Sequence, residues 1–348
     1  MKVMKQLLDF FDVKTVLSYA RAAEPRTYLG PTLFPTANVQ DLTFEYFKTL
    51  NRLPVMATIQ AYGAETPIAS REGIEKVRGE IPPIKRKINL NERYLIAIKR
   101  EGLGDFELVR DKLFSDLDSM IMSVQDRIEA LRMEAVSSGK LTISENGVIM
   151  TVDYGVAEDH KDTLETTALW TASDTATPID NMQEWVQQIV DDTGIKPARA
   201  LTSNTVVANL LKNEQIRELI HGSEGATRAV ALSQLNNLLT AMDLPTIATY
   251  NVKSRVEAAN GSLSTVRFFP EDKFVLLPED PVGETLYGPT AEALLSSAGI
   301  PVTETAGLFA QVYGEEDPPA LWTKVAATAI PTMPQADAIF IATVIELD

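Results

Sequence analysis

The feature that most constrains this chain is an apolar repeat, in steps of three and four, over residues 105–136. Such a repeat places its apolar side chains along one side of an α-helix. At about 1.5 Å per residue the helix would be roughly 45 Å long, and Ser137-Ser138-Gly139 predicts its end. So narrow a stripe on so long a helix predicts a strut lying across a sheet, with a coiled coil as the alternative. The stripe consists of Leu113, Leu117, Met120, Ile121, Val124, Ile128, Leu131 and Ala135.

Alternating patterns dominate the chain after this helix. Apolar and polar residues alternate on both sides of Asn146-Gly147, a dipeptide typical of tight hairpin turns. Residues 158–178 are polar around Trp170 and predict a long connection. From residue 179 short helices alternate with short strands, which predicts a compact α/β unit in which Ser203 caps a helix. From residue 302 onward the pattern predicts strands that return to the sheet beside the long helix.

The sequence before the long helix predicts an extended arm followed by a long hairpin over residues 54–95, which we call the excursion. Residues 1–24 have an amphipathic pattern and predict a helix. The prolines between Tyr28 and Pro35 predict an extended arm with large apolar residues. Residues 54–95 predict a long hairpin whose first strand covers residues 55–61. A two-stranded excursion of this length is only marginally stable alone, so we expect a partner subunit to support it. The apolar residues of the predicted first helix are Leu7, Leu8, Phe11, Val16 and Leu17.

Charge separates the excursion from the rest of the chain. The formal net charge is −16, which argues against nucleic-acid binding. Residues 71–100 contain nine Lys or Arg and four Glu, a local charge of +5 against −21 for the remainder. This contrast favours a basic arm that docks on an acidic neighbour, most simply a second copy of the chain. A solvated basic hairpin is the alternative.

Residues with chemical potential are few, and we predict no catalytic, cofactor-binding or metal-binding residue. The chain has no cysteine and two histidines, whose sequence neighbours lack metal-ligand spacing. No phosphate-binding loop is present, and no apolar run is long enough for a membrane span or a signal peptide. The S-x-x-K pattern at Ser137 coincides with the predicted helix end. A metal-dependent enzyme remains the alternative from another functional class, with acidic turn residues as its candidate ligands: Asp191, Asp192, Glu315, Glu316 and Asp317.

Several short segments, in the same order along nearly the whole chain, resemble the lambda-type major capsid protein family of tailed bacteriophages. The resemblance implies an α+β Hong Kong 97-like capsid fold, shared by tailed phages and herpesviruses. The segments are Leu33-Phe34-Pro35, Pro67 to Gly73, Ile81-Pro82-Pro83-Ile84-Lys85-Arg86-Lys87, Val152-Asp153-Tyr154-Gly155 with Trp170, Phe268 to Pro278, and Pro319-Ala320-Leu321-Trp322-Thr323-Lys324.

The resemblance also implies a division of the chain. The parts would be an N-terminal arm (1–51), an extended loop (52–95), a peripheral domain (96–178, with the spine helix at 105–136), an axial α/β domain (179–302) and a return to the peripheral domain (303–348).

The implied function is structural, that of a virion subunit which self-assembles into the hexamers and pentamers of an icosahedral head around double-stranded DNA. Implied partners are copies of the chain, a scaffolding protein, a portal protein and, in some heads, a decoration protein. Assembly would take place in the host cytoplasm, with no membrane and no sequence-specific DNA binding. An encapsulin-like compartment is the alternative with the same fold. The residues expected at contacts between subunits are Phe34, Arg71, Lys76, Arg78, Lys85, Arg86 and Lys87.

Overall fold

The structure is a computed structural model that describes most of the chain. The predicted helix over residues 1–24 lies outside the described residues, as does most of the predicted strand over 55–61. Of the latter, Met56, Ile59 and Gln60 are described and are not in a strand. The described residues are 26–49, 56, 59, 60, 62, 74–90, 92, 93, 96, 105–222, 228–258, 260–292, 303–305, 307–317 and 319–347.

The described elements are as follows, in chain order. The α-helices are α1 (Gly30–Leu33), α2 (Asp105–Ser138), α3 (Pro178–Thr193), α4 (Asn204–Leu210), α5 (Glu214–His221) and α6 (Leu232–Ala241). The strands are β1 (Thr36–Asn38), β2 (Thr43–Thr49), β3 (Ile74–Glu80), β4 (Pro83–Leu90), β5 (Lys140–Glu145), β6 (Val148–Asp153), β7 (Lys161–Thr163), β8 (Arg199–Thr202), β9 (Thr246–Thr249), β10 (Lys253–Glu257), β11 (Leu263–Arg267), β12 (Lys273–Leu277), β13 (Glu284–Tyr287), β14 (Thr303–Thr305), β15 (Leu308–Glu316), β16 (Pro319–Thr332) and β17 (Phe340–Thr343). Short 3-10 helices cover Glu158–His160, Thr166–Ala168 and Ala336–Ala338.

The predicted strut is confirmed in α2. The helix ends at Ser138 because Gly139 adopts a φ of +70° and donates its N–H to the carbonyl of Ala135. Its first half packs on β4 and β16, where Leu117 contacts a cluster that includes Val325. Its last turns belong to a second cluster, together with β5, β12 and β17. One helix therefore links the cores under two sheets. No helix within the described residues is long and apolar enough to cross a membrane.

The first sheet is built around the long strand β16. Within the described residues the strand order is β1-β13-β16-β15-β14, and β4 also pairs with β16. Residues 321–327 of β16 pair with both β15 and β4, so these two strands lie on opposite edges of β16. Strand β4 therefore continues from the excursion into the main body of the chain instead of forming an arm of the predicted hairpin.

The second sheet has the order β7-β17-β12-β8-β9 within the described residues. Its strand β17 belongs to the predicted tail, so the tail does not return entirely to the sheet beside the long helix. The physical reason is burial on both faces: Ile341 points into the cluster around the end of α2, and Phe340 points into the cluster under α3 and α4. Trp170, in the predicted connection, is fully buried in that second cluster, 5.0 Å from the ring of Phe274.

The described residues also form three separate two-stranded antiparallel hairpins. In β5–β6 the turn residues Asn146 and Gly147 have φ of 49° and 84°, which confirms the predicted tight turn. Strand β2 pairs with β3, with Thr43 opposite Glu80 and Thr49 opposite Ile74. The excursion therefore starts about ten residues earlier than predicted. The third hairpin, β10–β11, was not predicted.

The arm differs from its predicted extended form. Gly30–Leu33 forms one helical turn with Pro31 at its start, where the missing N–H of proline costs nothing. Leu33 and Phe34 are completely buried in the chain's own core. The arm then continues as β1, parallel to β13. Its apolar residues thus lie on the body of the same chain.

Candidate assembly surface

A row of buried charges on α2 holds the arm. Asp126, Glu129 and Arg132 lie three residues apart on the helix and are at most 8% exposed. Buried charges are costly unless they are paired and hydrogen-bonded. Their partners come from the arm, from Tyr250 and Ser254 at the start of the β10–β11 hairpin, and from Thr285 of β13.

Glu129 is the centre of this row. One carboxylate oxygen accepts the backbone N–H of Gly30 at 2.9 Å and the hydroxyl of Tyr250 at 2.6 Å. The other oxygen accepts from Arg132 at 3.3 Å. Burial and the hydrogen bond to Glu129 raise the pKa of Tyr250 well above its ordinary value. The tyrosine therefore stays a hydrogen-bond donor.

Asp126 makes the same kind of link one turn earlier. Its oxygens accept the hydroxyls of Tyr28 and Ser254, both at 2.6 Å, and Arg26 lies 3.5 Å away. Burial raises the pKa of Tyr28, and the hydrogen bond to Asp126 raises it further. The start of the described arm is thus tied both to α2 and to β10.

Phe34 belongs to the chain's own core. Arg132 donates to the hydroxyl of Thr285 at 2.8 Å, and that hydroxyl donates to the carbonyl of Phe34 at 3.1 Å. With its side chain fully buried, Phe34 is not available to a neighbouring subunit in this conformation. We therefore remove it from the expected contact residues.

The base of the β2–β3 hairpin is also fixed to the body. Lys48 on β2 is 2% exposed and lies 2.6 Å from a carboxylate oxygen of Asp337. It also donates to the carbonyl of Gly155. Phe44 is buried with its ring directly over Gly79, where a Cβ would collide with it. The hairpin thus leaves the body from a packed and ion-paired base.

The basic residues of β4 have partners in their own chain. Lys85 and Lys324 both donate to Glu292 at 2.7 Å. Burial by itself would raise the pKa of Glu292, but the two lysine hydrogen bonds outweigh it and lower the pKa to about 2. Arg86 pairs with Glu257 at 3.0 Å, and Lys87 lies 4.3 Å from the ring centroid of Trp322.

The basic residues of β3 are exposed, as are those of β4. Lys76 and Arg78 alternate with the buried Val77 and lie on the solvent side of the strand. Lys76 pairs across the hairpin with Glu45. Arg71 lies outside the described residues. The structure therefore separates the six described contact residues into a core residue, Phe34, and exposed basic residues on β3 and β4.

The comparison with known proteins decides the family. Residues 12–344 match the family described as phage major capsid protein E. The chain belongs to this family. The sequence resemblance to tailed-phage capsid proteins is thereby confirmed, and the capsid protein is a structural subunit of the phage head rather than an enzyme.

Solved structures show the same fold for the capsid protein. The putative capsid protein of a prophage of E. coli CFT073 is 15% identical, with a TM-score of 0.61 over 96% of this chain and 99% of that one. A phage-related protein from Bordetella bronchiseptica RB50 is 13% identical, with a TM-score of 0.59 over 97% and 98%. The capsid asymmetric unit of cyanophage A-1(L) gives 14% identity and a TM-score of 0.52 over 92% and 94%. No curated protein sequence matches the chain. The predicted Hong Kong 97-like fold is confirmed.

One group of metal-capable side chains is brought together by the fold. Ligand atoms of Asp159, His160 and Asp192 lie within 4.8 Å of one another. Nε2 of the buried His160 is 3.0 Å from Asp192 at the end of α3. In the capsid protein this hydrogen bond joins the 3-10 turn before β7 to α3, a link between residues distant in sequence.

Sequence reasoning missed the anchoring network, which is the row of buried charges on α2 that holds the arm of the capsid protein. Its signal was present, because Asp126, Glu129 and Arg132 repeat at helical spacing beside the apolar stripe. A polar row in that position indicates buried partners. The partners themselves, such as Tyr28 and Tyr250, carry no local pattern that singles them out.

Proposed function

We propose that this capsid protein forms the hexamers and pentamers of an icosahedral head that encloses double-stranded DNA. In this proposal sister copies cover the excursion between β2 and β3. The observation that carries it is the exposure of large apolar side chains there. Met56, Ile59 and Tyr62 are 89%, 101% and 110% exposed. A group of exposed large apolar residues favours an interaction surface.

The base of the hairpin supports this role. Lys48 and Phe44 hold β2 on the chain's own body. A rigid base fixes the direction in which the outer part leaves, so less conformational entropy is lost when a neighbour binds it. The excursion is thus presented to a sister copy from a defined position.

Basic residues add an electrostatic component to the proposal. Lys76 and Arg78 are exposed on β3, and Arg71 stands close to them in sequence. We assign these three to the contact with an acidic neighbour. Lys85, Arg86 and Lys87 of β4 are exposed as well and would add to this contact. Contacts of this kind weaken as salt increases.

Roles for the parts of the chain follow from the family resemblance. The arm (1–51) and loop (52–95) would join neighbours, and the peripheral domain (96–178 with 303–348) would form the body around α2. The axial domain (179–302) would meet its copies at capsomer centres. Strand β17 would belong to the sheet that links these two domains.

The proposed partners are copies of the chain, a scaffolding protein, a portal protein and, in some heads, a decoration protein. Assembly would take place in the host cytoplasm. The formal charge of −16 supports packaging of DNA without specific binding, because phosphate neutralisation needs clustered cations.

Electron microscopy of the chain co-expressed with its scaffolding protein tests the proposal. We expect closed shells from the wild-type chain and none from Ile59→Asp or Tyr62→Asp. Leu347→Asp is the matched control, since Leu347 is also exposed, at 54%, but lies outside the excursion. A wild-type chain that stays monomeric with its scaffold would reject the proposal. Shells that form outside any phage context around a protein cargo would favour the encapsulin-like alternative.

A further inference from the structure

A groove of about 640 Å³ runs beside α2. Val124 and Leu131 of α2 lie along its floor, with Ile143 of β5 beside them. The β5–β6 and β10–β11 hairpins and the start of β4 form its walls.

The walls of this groove carry three half-exposed valines among charged residues such as Arg127 and Glu145. Val148, Val256 and Val266 are 40%, 47% and 43% exposed. In the register of β10–β11, Val266 is opposite Ser254, so Val266, Val256 and Ser254 share one face of the hairpin. Ser254 donates to Asp126 on α2, so this face is turned towards the helix. Within the described residues these valines are left partly uncovered at the groove.

The described chain begins at the edge of this groove. Arg26 is 3.5 Å from Asp126, which itself lines the groove. Tyr28 is bound to the same carboxylate. The first described residues of the chain therefore lie beside Asp126, at the groove that holds the half-exposed valines.

The sequence of residues 2–12 offers an apolar helix face that could cover these valines. On a helix with 3.6 residues per turn, its apolar residues fall on one side and its polar residues on the other. Met4, Leu7, Leu8 and Phe11 follow the i, i+3, i+4, i+7 spacing of a helix face that is buried on one side. The apolar residues are Val3, Met4, Leu7, Leu8, Phe10 and Phe11; the polar residues are Lys2, Lys5, Gln6, Asp9 and Asp12.

We propose that residues 2–12 form an amphipathic helix that docks, in the same chain, in the groove between α2, β5–β6 and β10–β11. The apolar side chains of this helix cover Val148, Val256 and Val266. Its polar side faces solvent. The connection from Phe11 to Arg26 spans about 20 Å even when fully helical, so the segment reaches the groove without strain. The proposal concerns a surface of the single chain and does not depend on the proposed function.

Engineered disulfides in the full chain test this docking directly, because the chain has no cysteine of its own. The test pair combines Leu7→Cys with Val256→Cys, and a second pair uses Val266→Cys. The matched control combines Lys5→Cys with Val256→Cys, which places the first thiol on the opposite side of the predicted helix. We expect the test pairs to close about tenfold faster than the control, because docking raises the effective concentration of the two thiols.

The connectivity of the disulfide decides between occupants. A disulfide within one chain, read from the mass of the reduced and non-reduced species, supports the proposal. A mixture of Leu7→Cys chains with Val256→Cys chains should then give little cross-linked dimer. Fast dimer formation in that mixture would show that a second copy fills the groove and would overturn the proposal. Equal rates for test and control, or no disulfide in either test pair, would overturn it as well.

Discussion

The side-chain nitrogen of Lys48 lies 2.6 Å from a carboxylate oxygen of Asp337, and both residues are buried. Lys48 belongs to β2 and Asp337 to the 3-10 turn after β16, so this pair closes a loop of nearly the whole chain. The second oxygen of Asp337 has no hydrogen-bond partner among the described residues. Lys48 is therefore the main compensation for a buried carboxylate.

Removing the amine of Lys48 should destabilise the protein strongly. Lys48→Met keeps the aliphatic volume but leaves Asp337 buried and unpaired, which typically costs about 3–5 kcal/mol. The free energy of unfolding in urea measures this loss. Adding Asp337→Leu to Lys48→Met should restore much of it, because the unpaired charge is then gone.

Lys76 provides the control for this variant. It pairs with Glu45 on the same hairpin, but the side chains are 47% and 49% exposed. Lys76→Met should therefore change the free energy of unfolding by less than about 1 kcal/mol. Equal losses for Lys48→Met and Lys76→Met would show that burial of the first pair has no energetic consequence.

A methyl group at Gly30 should loosen the arm. A Cβ there would overlap the carboxylate of Glu129 and the side chain of Arg132, both of which are buried and held by hydrogen bonds. We expect Gly30→Ala to cost about 2 kcal/mol and to speed hydrogen exchange at residues 28–34. Gly288→Ala is a milder control, since its nearest neighbour would be 3.3 Å away. Unchanged exchange in the arm would argue against the anchoring role of Glu129.

Glu292 should make stability depend on acid. Its pKa in the folded protein is about 2, below the ordinary value of 4.5. The ionised group therefore contributes stability above pH 4.5, and this contribution is lost as the pH falls from 4.5 towards 2. The loss should be on the order of 2 kcal/mol, reduced by solvent screening because Lys85 is partly exposed.

Urea unfolding at several pH values checks this dependence. Glu292→Gln should flatten the decline between pH 4.5 and 2 relative to the wild-type chain. Glu257→Gln is the control, because Glu257 and Arg86 form an exposed pair and should contribute little. An unchanged slope in Glu292→Gln would contradict the role of this carboxylate.

The β5–β6 turn should depend on Gly147 for its backbone alone. Gly147 has a φ of +84°, and a Cβ there would meet no atom within 4 Å. Gly147→Ala should therefore cost about 1 kcal/mol through the left-handed conformation, measured by unfolding in urea. Asn146→Gly, at a φ of 49°, should cost less than Gly147→Ala, because Gly accepts a positive φ and loses only the extra freedom of the unfolded chain. If Gly147→Ala left the free energy of unfolding unchanged, the turn would not have the left-handed backbone conformation at residue 147.

Elements set by local patterns were predictable. The stripe from Leu113 to Ala135 indicated α2, Asn146-Gly147 indicated the hairpin turn, and Ser203 indicated the cap of α4, where it accepts the N–H of Val206. Each depends on residues close together in the chain. Local periodicity and turn chemistry determine such elements whatever they pack against.

Pairing between distant segments was not predictable in the same way. Residues 83–90 alternate like a hairpin arm, but β4 pairs with β16 more than two hundred residues later. Strand β17 has the composition of a central strand, and the sequence does not say which sheet it completes. Many pairings satisfy the same alternation, so the choice depends on the packing of the whole fold.

The sequence by itself determined the long helix, the tight turn, the α/β alternation and the family resemblance, because each is written in residues that are neighbours in the chain. Only the tertiary structure decided that Phe34 is buried in its own subunit, that Lys48 meets Asp337, and that Glu129 gathers Gly30, Tyr250 and Arg132. Apart from the Glu129–Arg132 pair within α2, these contacts join residues from about 100 to nearly 290 positions apart. Their energies come from burial and pairing that exist only once the distant segments have come together.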